Sequence, residues 1–394
     1  MRGGTKRIDA FTALLTTIML NQVLSAAIAR AVCATDLDCS LNGACDASGA
    51  CICDKGWAGS TCGELKLNQT AVVAYGIGGF TQDTSSWGGG PPVKQDSLYH
   101  LFVTEIAGNC GMCTWSRMST VAHAVSSTPE GPYRRVGLAV PAQTHNTYYT
   151  YSPTDKMHLL YHIGDGNNPW SCNPPFSCAN GSTPGCSGLR PPSSWPAATC
   201  PMAGGAHMHY STSLDGPWTS AGPIKLDAPG LPPAAGTSNP APYIFPNGTV
   251  LLIGRGKDAN RYPNGTVVKE HNIFLFRADS WNSTYTWVRS DGVDGALPIG
   301  NGKLSTEDPA LWRGRRGFHI LFHSHPNLTH AWSLDGLEWH WSATVMGPPP
   351  SGEAGSDNER PRVSLDENGD IDWVFVAQEY GPGDASRTAA FQAL

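Results

Sequence analysis

The sequence predicts an all-β protein: a five-bladed β-propeller preceded by a small disulfide-rich module. Three observations support this class. Six cysteines cluster near the amino end, short β-rich segments bounded by turn residues fill the remainder, and one strand–turn–strand pattern recurs along it. All three favour many short strands over long helices. A chain of 394 residues is long enough for two such units.

The composition excludes several other classes. The chain contains 45 Gly and 31 Pro, and only 15% of its residues are charged, which argues against a coiled coil or a long-helix bundle. Its 13 Trp, 12 Tyr and 11 Phe supply enough apolar surface to argue against disorder. The net charge is −6 and no long basic run is present, so we expect no nucleic-acid partner.

Residues 1–31 have the pattern of a cleaved signal peptide. A basic start at Arg2, Lys6 and Arg7 precedes a mostly apolar stretch that ends in small residues around Ala29. An uncleaved anchor is the alternative, although polar residues such as Asn21 make the stretch a poor membrane span. No second long apolar run follows, so we expect a secreted protein that has no membrane contact after signal cleavage.

Two further features are typical of secreted proteins. The 12 cysteines are even in number, as a disulfide framework requires. Six N-x-S/T sequons predict N-glycosylation on exposed loops, at Asn68, Asn180, Asn247, Asn264, Asn282 and Asn327.

The segment from residue 32 to residue 63 is predicted to be a separate module held by disulfides. Its cysteines are Cys33, Cys39, Cys45, Cys51, Cys53 and Cys62. About 30 residues cannot bury enough apolar surface to fold alone, so covalent bridges must hold them. Six cysteines allow 15 connectivities, and spacing alone does not choose among them. A zinc site is the rival interpretation, which an oxidising compartment disfavours.

The closing part of this segment resembles an EGF-like module. It carries Cys53, then Gly56-Trp57-Ala58-Gly59, then Cys62, in which the glycines permit tight turns and the aromatic residue covers a bridge. The resemblance implies the pairs Cys33–Cys45, Cys39–Cys51 and Cys53–Cys62, and an adhesive or spacer role that allows a protein partner. No acidic run of the calcium-binding kind precedes the first cysteine. Residues 64–69 are expected to be a linker.

Residues 70–394 contain a repeated pattern of a polar triplet, a short strand, a turn and an apolar strand. The four triplets begin at His145, Ser238, Glu307 and Glu359. A second pattern, a Ser-rich turn followed by an aromatic residue, predicts a third and a fourth strand after each pair; it ends at Tyr133, Trp218 and Trp339. Four strands per repeat is the pattern of a propeller blade. With an opening unit from Thr70 to Tyr133, the prediction is five blades.

Six cysteines lie within the predicted propeller, and their pairing stays open. Cys110 and Cys113 follow a strand among Gly and Asn, a setting that favours a structural or inter-loop bridge over a redox site. The largest insertion, residues 167–204, lacks strand periodicity, and we expect two bridges to hold it. Its cysteines are Cys172, Cys178, Cys186 and Cys200.

The triplets Ser238-Asn-Pro, Glu307-Asp-Pro and Glu359-Arg-Pro resemble the blade starts of five-bladed propellers of the glycoside hydrolase family 43 type, over about residues 70–390. The resemblance implies carboxylate acid/base hydrolysis of a cell-wall or matrix polysaccharide. It implies an Asp base in the first blade, an Asp modulator in the second and a Glu acid in the third. This chain departs from that pattern, because Asn146 and Asn239 stand in the second and third triplets. Relatives sometimes hold an axial calcium, which the sequence does not reveal.

In a propeller the innermost strands line a central channel, so polar residues at their starts should converge on one mouth. Sugar hydrolysis needs a carboxylic acid and a carboxylate, and the predicted catalytic residues are Glu307, Asp308 and Glu359. The predicted substrate-binding residues are Trp87, His145, Asn146, Asn239, Trp312 and Arg360. We expect Glu307 to be the proton donor. Its neighbour Asp308 points to the other face of a strand, which favours Glu359 as the partner.

Two functions stay open from the sequence. The first is a secreted glycosidase-like enzyme, and the alternative is a non-catalytic carbohydrate-binding or adhesion protein. No metal site is predicted, because His207/His209 and His323/His325 at i, i+2 are more often packed or exposed than metal-bound. The substrate, the linkage and the oligomeric state are not readable from the residues.

Overall fold

The computed structural model of the chain is almost entirely β. The residues that it describes are 33–80, 83–166, 178, 181–183, 204–231, 238–257, 271–292, 296–299, 306–324, 326–346, 357–380 and 384–394. The predicted signal peptide, Asn180, Asn264, His325, Cys172, Cys186 and Cys200 lie outside these ranges. No helix among the described residues is long and apolar enough to cross a membrane.

The amino-terminal module, residues 33–62, is built on three disulfides and very short strands. Its disulfides join Cys33 to Cys45, Cys39 to Cys51 and Cys53 to Cys62, the pairing that the EGF-like resemblance implies. Its first two strands form one hairpin, and the third pairs with a fourth strand just beyond the module. These strands are β1 (Gly43–Cys45), β2 (Cys51–Cys53), β3 (Trp57–Ala58) and β4 (Glu64–Leu65).

The described residues beyond the module form five sheets, which are the predicted blades and are antiparallel apart from the parallel pair of Leu226–Asp227 with Tyr285–Val288. The first contains β6 (Ser86–Gly89), β7 (Val93–Gln95), β8 (Leu98–Ile106), β9 (Ser119–Ser126) and β10 (Arg134–Val140). The second contains β11 (His145–Ser152), β12 (Met157–Ile163), β13 (Ala206–Ser211) and β14 (Thr219–Pro223). The third contains β15 (Leu226–Asp227), β16 (Ser238–Ile244), β17 (Val250–Lys257), β18 (His271–Ala278) and β19 (Tyr285–Val288). The fourth contains β20 (Glu307–Arg313), β21 (Phe318–Ser324), β22 (Asn327–Ser333) and β23 (His340–Met346).

The fifth blade closes the ring with a strand from the other end of the chain. It contains β24 (Glu359–Leu365), β25 (Ile371–Glu379), β26 (Ser386–Gln392) and, as its outer strand, β5 (Val72–Gly76). The expectation that Thr70 opens the first blade is therefore wrong, and the first innermost strand is β6. Pairing of the first strand with the last blade ties the two ends of the propeller together and so holds the ring closed.

Each innermost strand begins with a bulge. In all five blades the register to the second strand shifts by one residue just after the strand start. Four of these strands have a left-handed residue in second position, at Asn146 (φ 59°), Asn239 (φ 49°), Asp308 (φ 50°) and Arg360 (φ 52°). A bulge aims its side chain away from the ordinary pleat, and here it brings four polar side chains to one end of the axis.

Among the described residues, helical structure is confined to one excursion of the first blade. The 3₁₀ turns Ala107–Asn109 and Met112–Thr114 precede helix α1 (Trp115–Met118). This excursion is bridged to the large insertion, because Cys110 is disulfide-bonded to Cys178. The expectation that Cys178 takes part in a bridge internal to the insertion is therefore wrong.

The amino-terminal module packs onto the propeller and is not tethered by a free linker. Trp57 is buried in one core with Leu321 and Val374 of the fourth and fifth blades. In place of a linker at residues 64–69, the chain continues as β4 and then Leu67, which bridges to Ala393. Two ion pairs tie the same faces together, because Arg316 contacts both Asp36 and Asp54.

The glycosylation sequons within the described ranges lie at the surface. Asn68, Asn247 and Asn282 are exposed, and Asn327 is half-buried at the start of β22. Their occupancy stays a prediction.

We predict that replacing Trp57 by Ala destabilises the whole protein and not the module alone. The ring is 6% exposed and lies 4.7 Å from that of His330, and truncating a buried Trp costs about 3–5 kcal/mol. Urea unfolding followed by far-UV circular dichroism measures the change. Ile52→Ala in the same module is the control, because Ile52 is 61% exposed. An unchanged propeller transition in the Trp57 variant would contradict this integration.

Candidate active site at the axial mouth

Four blades meet at one carboxylate. We define the axial mouth as the end of the channel where β6, β11, β16, β20 and β24 begin. Asp308 is 2% exposed there, and its Oδ1 accepts hydrogen bonds from Asn239 Nδ2 at 2.5 Å and from Asn146 Nδ2 at 3.2 Å. Asn146 also donates to Asn239 Oδ1. The other carboxylate oxygen of Asp308, Oδ2, lies 3.6 Å from Arg360 Nε. The second, third, fourth and fifth blades are thus connected through a single charged group.

Arg360 extends the network to the first blade. Its Nη2 donates to His145 Nε2 at 2.9 Å, and its guanidinium lies 5.7 Å from the centre of the Trp87 ring. Because His145 accepts at Nε2, its proton sits on Nδ1 and is donated to Ser119 Oγ at 2.7 Å. Burial, reinforced by Arg360, holds the pKa of His145 well below its ordinary value. His145 is therefore a neutral positioning group and not a source of protons.

Glu359 is a carboxyl group whose pKa is strongly raised by its surroundings at the mouth. Burial raises its pKa from 4.5 to about 8, and the negative charge of Asp308 contributes in the same direction. Arg360 opposes the shift without cancelling it. Glu359 is only half-buried as a residue, and its raised pKa makes it a carboxylic acid that is protonated at neutral pH.

Glu307, in the adjacent blade, has a different environment. Its Oε1 lies 2.7 Å from Arg255 Nη1 of strand β17, and its side chain is 31% exposed. An ion pair favours the charged form of a carboxyl group. The mouth therefore combines a protonated carboxyl, Glu359, with a carboxylate that is held in place by a cation.

A third donor near Glu359 raises the question of a metal. Donor atoms of Asp308, His323 and Glu359 lie within 4.8 Å of one another. Calcium takes six to eight oxygen ligands, whereas this set includes an imidazole, and the guanidinium of Arg360 already lies against Asp308. The described residues of the mouth therefore do not fit an axial calcium ion.

The structure separates the predicted site residues into two groups. Glu307, Asp308, Glu359, His145, Asn146, Asn239 and Arg360 meet at the axial mouth, and Trp87 lies beside them but is only 4% exposed. Trp312 does not line the mouth. It lies five residues beyond Glu307 along β20, about 17 Å at the usual rise of a strand, and stacks on His319 at 5.2 Å. Its position at the opposite end of the channel corrects the expectation that it walls the site.

Sequence reasoning missed Arg255, and it considered His323 only as a metal ligand paired with His325. Arg255 and His323 each lie on the second strand of a blade, where cross-strand register opposes each to the first residue of the innermost strand: Ser238 faces Arg255, and Glu307 faces His323. The repeats could have indicated this, because each triplet is followed by an apolar strand that ends near these residues. His209 of the pair His207/His209 shares a hydrogen bond of 2.8 Å with His162, and no group of metal ligands within the described ranges includes either histidine of the pair.

Comparisons with known proteins support the same two units. Residues 33–62 match the EGF-like domain family. A family 117 glycoside hydrolase of the marine bacterium Zobellia galactanivorans is similar in structure, with a TM-score of 0.52 and 14% identity over 82% of this chain and 89% of that one. A family 43 β-xylosidase/α-arabinofuranosidase from a compost metagenome matches with a TM-score of 0.51 and 11% identity over 82% of this chain and 95% of the other.

A further structure described as a glycoside hydrolase matches with a TM-score of 0.54 and 11% identity, over 83% of this chain and 92% of its own. No curated protein sequence matches. At these identities the likeness establishes the propeller fold of the glycoside hydrolases and nothing about a particular substrate.

We predict that Asp308→Asn strongly destabilises the protein. It leaves the buried Arg360 without its adjacent counter-charge, and breaking a buried pair costs about 3–5 kcal/mol. Urea unfolding at neutral pH measures the loss, with Asp215→Asn as the control, because the Asp215 side chain is 79% exposed. Adding Arg360→Met to Asp308→Asn should recover part of the stability. A loss no larger than that of the control would contradict the role of Asp308.

The raised pKa of Glu359 predicts a dependence of stability on pH. The folded state binds this proton more tightly than the unfolded chain, so the stabilisation is complete below the usual value of 4.5 and is lost as pH rises towards 8. Within that window the loss is about 1.4 kcal/mol per pH unit. Glu359→Gln should remove this slope and exposed Glu367→Gln should retain it, as measured by urea unfolding from pH 5 to pH 8. Identical slopes in both variants would contradict the assignment.

Proposed function

We propose that this protein is an extracellular carbohydrate-active enzyme that cleaves a glycosidic bond at the axial mouth. The observation that carries the proposal is the pair of unlike carboxyls, Glu359 and Glu307, on neighbouring blades of a fold that glycoside hydrolases use. Glycoside cleavage requires one carboxyl that donates a proton and another that attacks or activates water. Two carboxyls with different charge states in one site are typical of such a division of roles.

In this mechanism Glu359 protonates the leaving oxygen. The Glu307 carboxylate, oriented by Arg255, attacks the sugar or activates water on the opposite side of the bond. This reverses the order expected from the sequence, in which Glu307 was the donor. Asp308 does not touch the substrate; its carboxylate keeps Glu359 protonated and Arg360 in place. His145 and Trp87 then act by positioning Arg360. Asn146 and Asn239 replace the carboxylates of related enzymes, and here their amides donate to Asp308 instead.

The alternative is a non-catalytic carbohydrate-binding or adhesion protein. It is favoured by Asn146 and Asn239, because the resemblance to family 43 glycoside hydrolases implies carboxyl groups in those two blades and an amide can neither donate an acidic proton nor act as a base. The EGF-like module supports an adhesive or spacer role under either function. Its disulfides favour an oxidising compartment outside the cell, in agreement with the predicted signal peptide.

A screen of the purified protein on polysaccharides, beside a glycan array, tests the proposal. We expect Glu359→Gln to lower kcat about 10²–10⁴-fold, with a smaller loss on substrates whose leaving group needs no proton. Activity of the native protein should decline above about pH 8, where Glu359 ionises. Glu307→Gln should reduce activity on both kinds of substrate.

Glu367→Gln is the matched control, because Glu367 is exposed on a turn away from the mouth. Unchanged turnover in Glu359→Gln would refute Glu359 as the donor. Binding on the array together with no hydrolysis of any polysaccharide would favour the adhesion protein.

A further inference from the structure

The end of the channel opposite the axial mouth opens into a second cavity of about 430 Å³. We call it the lower cavity. The later residues of the innermost strands line it, together with the first residues after β6. On the fifth blade, Ser364 of this cavity lies five residues beyond Glu359, about 17 Å along the strand. The lower cavity is therefore separate from the proposed site of cleavage.

Aromatic rings form much of its wall. Tyr151 is 41% exposed, Tyr243 is half-buried, and Trp312 lies behind them at 8% exposure. Tyr151 packs on His158 at 5.1 Å, and Tyr243 lies edge-on to Phe318 at 5.4 Å, so both rings are held by neighbours. Rigid aromatic faces beside a few polar groups are the usual lining of a small-molecule site, and a flat aromatic face suits the C–H face of a sugar ring.

The charged residues of the lining are all basic. Lys94 and Arg313 are exposed at its rim, and no Asp or Glu lines it. Each cation rests on an aromatic ring, Lys94 on Tyr99 and Arg313 on Phe318, both at 5.5 Å. Within the described ranges, no ion pair joins either cation to a carboxylate. On a chain with a net charge of −6, this is a local positive surface that favours an anionic ligand.

The amino-terminal module supports one wall of this cavity. Arg313 ends β20, and the turn that follows carries Arg315 and Arg316. Arg315 lies 3.3 Å from Asp54 of the module, and Arg316 lies 3.0 Å from Asp36. Trp312 belongs to the same buried cluster as Trp57. The module thereby fixes the strand end that presents Trp312 and Arg313.

We propose that the lower cavity binds a sugar unit that carries an acidic group, either a carboxylate or a sulfate ester. The aromatic walls pack on the sugar ring, and Lys94 and Arg313 neutralise the anion. The cavity would hold a glycan chain at the face that the EGF-like module also occupies. This binding goes beyond the proposed cleavage and does not require Glu359 or Glu307.

Isothermal titration of the full chain with defined oligosaccharides tests the proposal. The probes are an oligogalacturonate, a heparin-derived hexasaccharide and a neutral cello-oligosaccharide. We expect binding of at least one acidic probe, weakening as salt rises, and affinity for the neutral probe at least tenfold lower. Binding of the first probe alone identifies the carboxylate as the ligand group, and binding of the second alone identifies the sulfate.

The combined change Lys94→Gln and Arg313→Gln should weaken acidic binding at least tenfold, and Tyr151→Ala should weaken it as well. Exposed Arg134→Gln is the matched control, and thermal unfolding checks that each variant is folded. Glu359→Gln should bind the acidic probes as the native chain does, so a failure of the cleavage proposal leaves this result unaffected. Unchanged affinity in the double variant, equal binding of the neutral probe, or no binding of either acidic probe would overturn the proposal.

Discussion

The buried carboxylate of Asp308 is the constraint on which the mouth depends. A charge taken out of water must be balanced by hydrogen bonds and a counter-charge, and Asp308 obtains them from Asn146, Asn239 and Arg360, one from each of three other blades. The left-handed residue at the bulge of four innermost strands makes this possible, because it aims the second side chain of each strand at the axis. Arg360 is the least expected residue in that conformation, because the left-handed region is enriched in Asn and Asp and not in Arg.

The same charge network gives different environments to two carboxyl groups that the repeats place in equivalent positions. Glu307 and Glu359 are both the first residue of an innermost strand, and both precede a bulge and a proline. Glu307 forms an ion pair with Arg255, whereas Glu359 is buried near the negative charge of Asp308. Neighbouring blades thus share the same backbone but differ in chemistry. The difference comes from the residue near the end of the second strand, which is Arg255 in the third blade and His323 in the fourth.

Much of the architecture could be predicted from the repeats, because a polar triplet, a strand and a turn recur with the same spacing in four blades. Ring closure by Val72–Gly76 could not, since pairing between the two ends of a chain leaves no local pattern. The convergence of Asn146, Asn239 and Asp308 follows from their equivalent positions. The charge state of Glu359 does not, because it depends on burial and on neighbours from other blades. Trp312 was misassigned although its distance along the strand from Glu307 already placed it at the far end.

The central claim is that the mouth holds a protonated Glu359 at neutral pH. A direct measurement is a ¹³C NMR titration of the side-chain carboxyl carbons in protein labelled at glutamate, with the Glu359 signal assigned by its loss in Glu359→Gln. We expect this carboxyl to titrate near pH 8. A titration near pH 4.5, the usual value for glutamate, would contradict it and would leave the mouth without a proton donor.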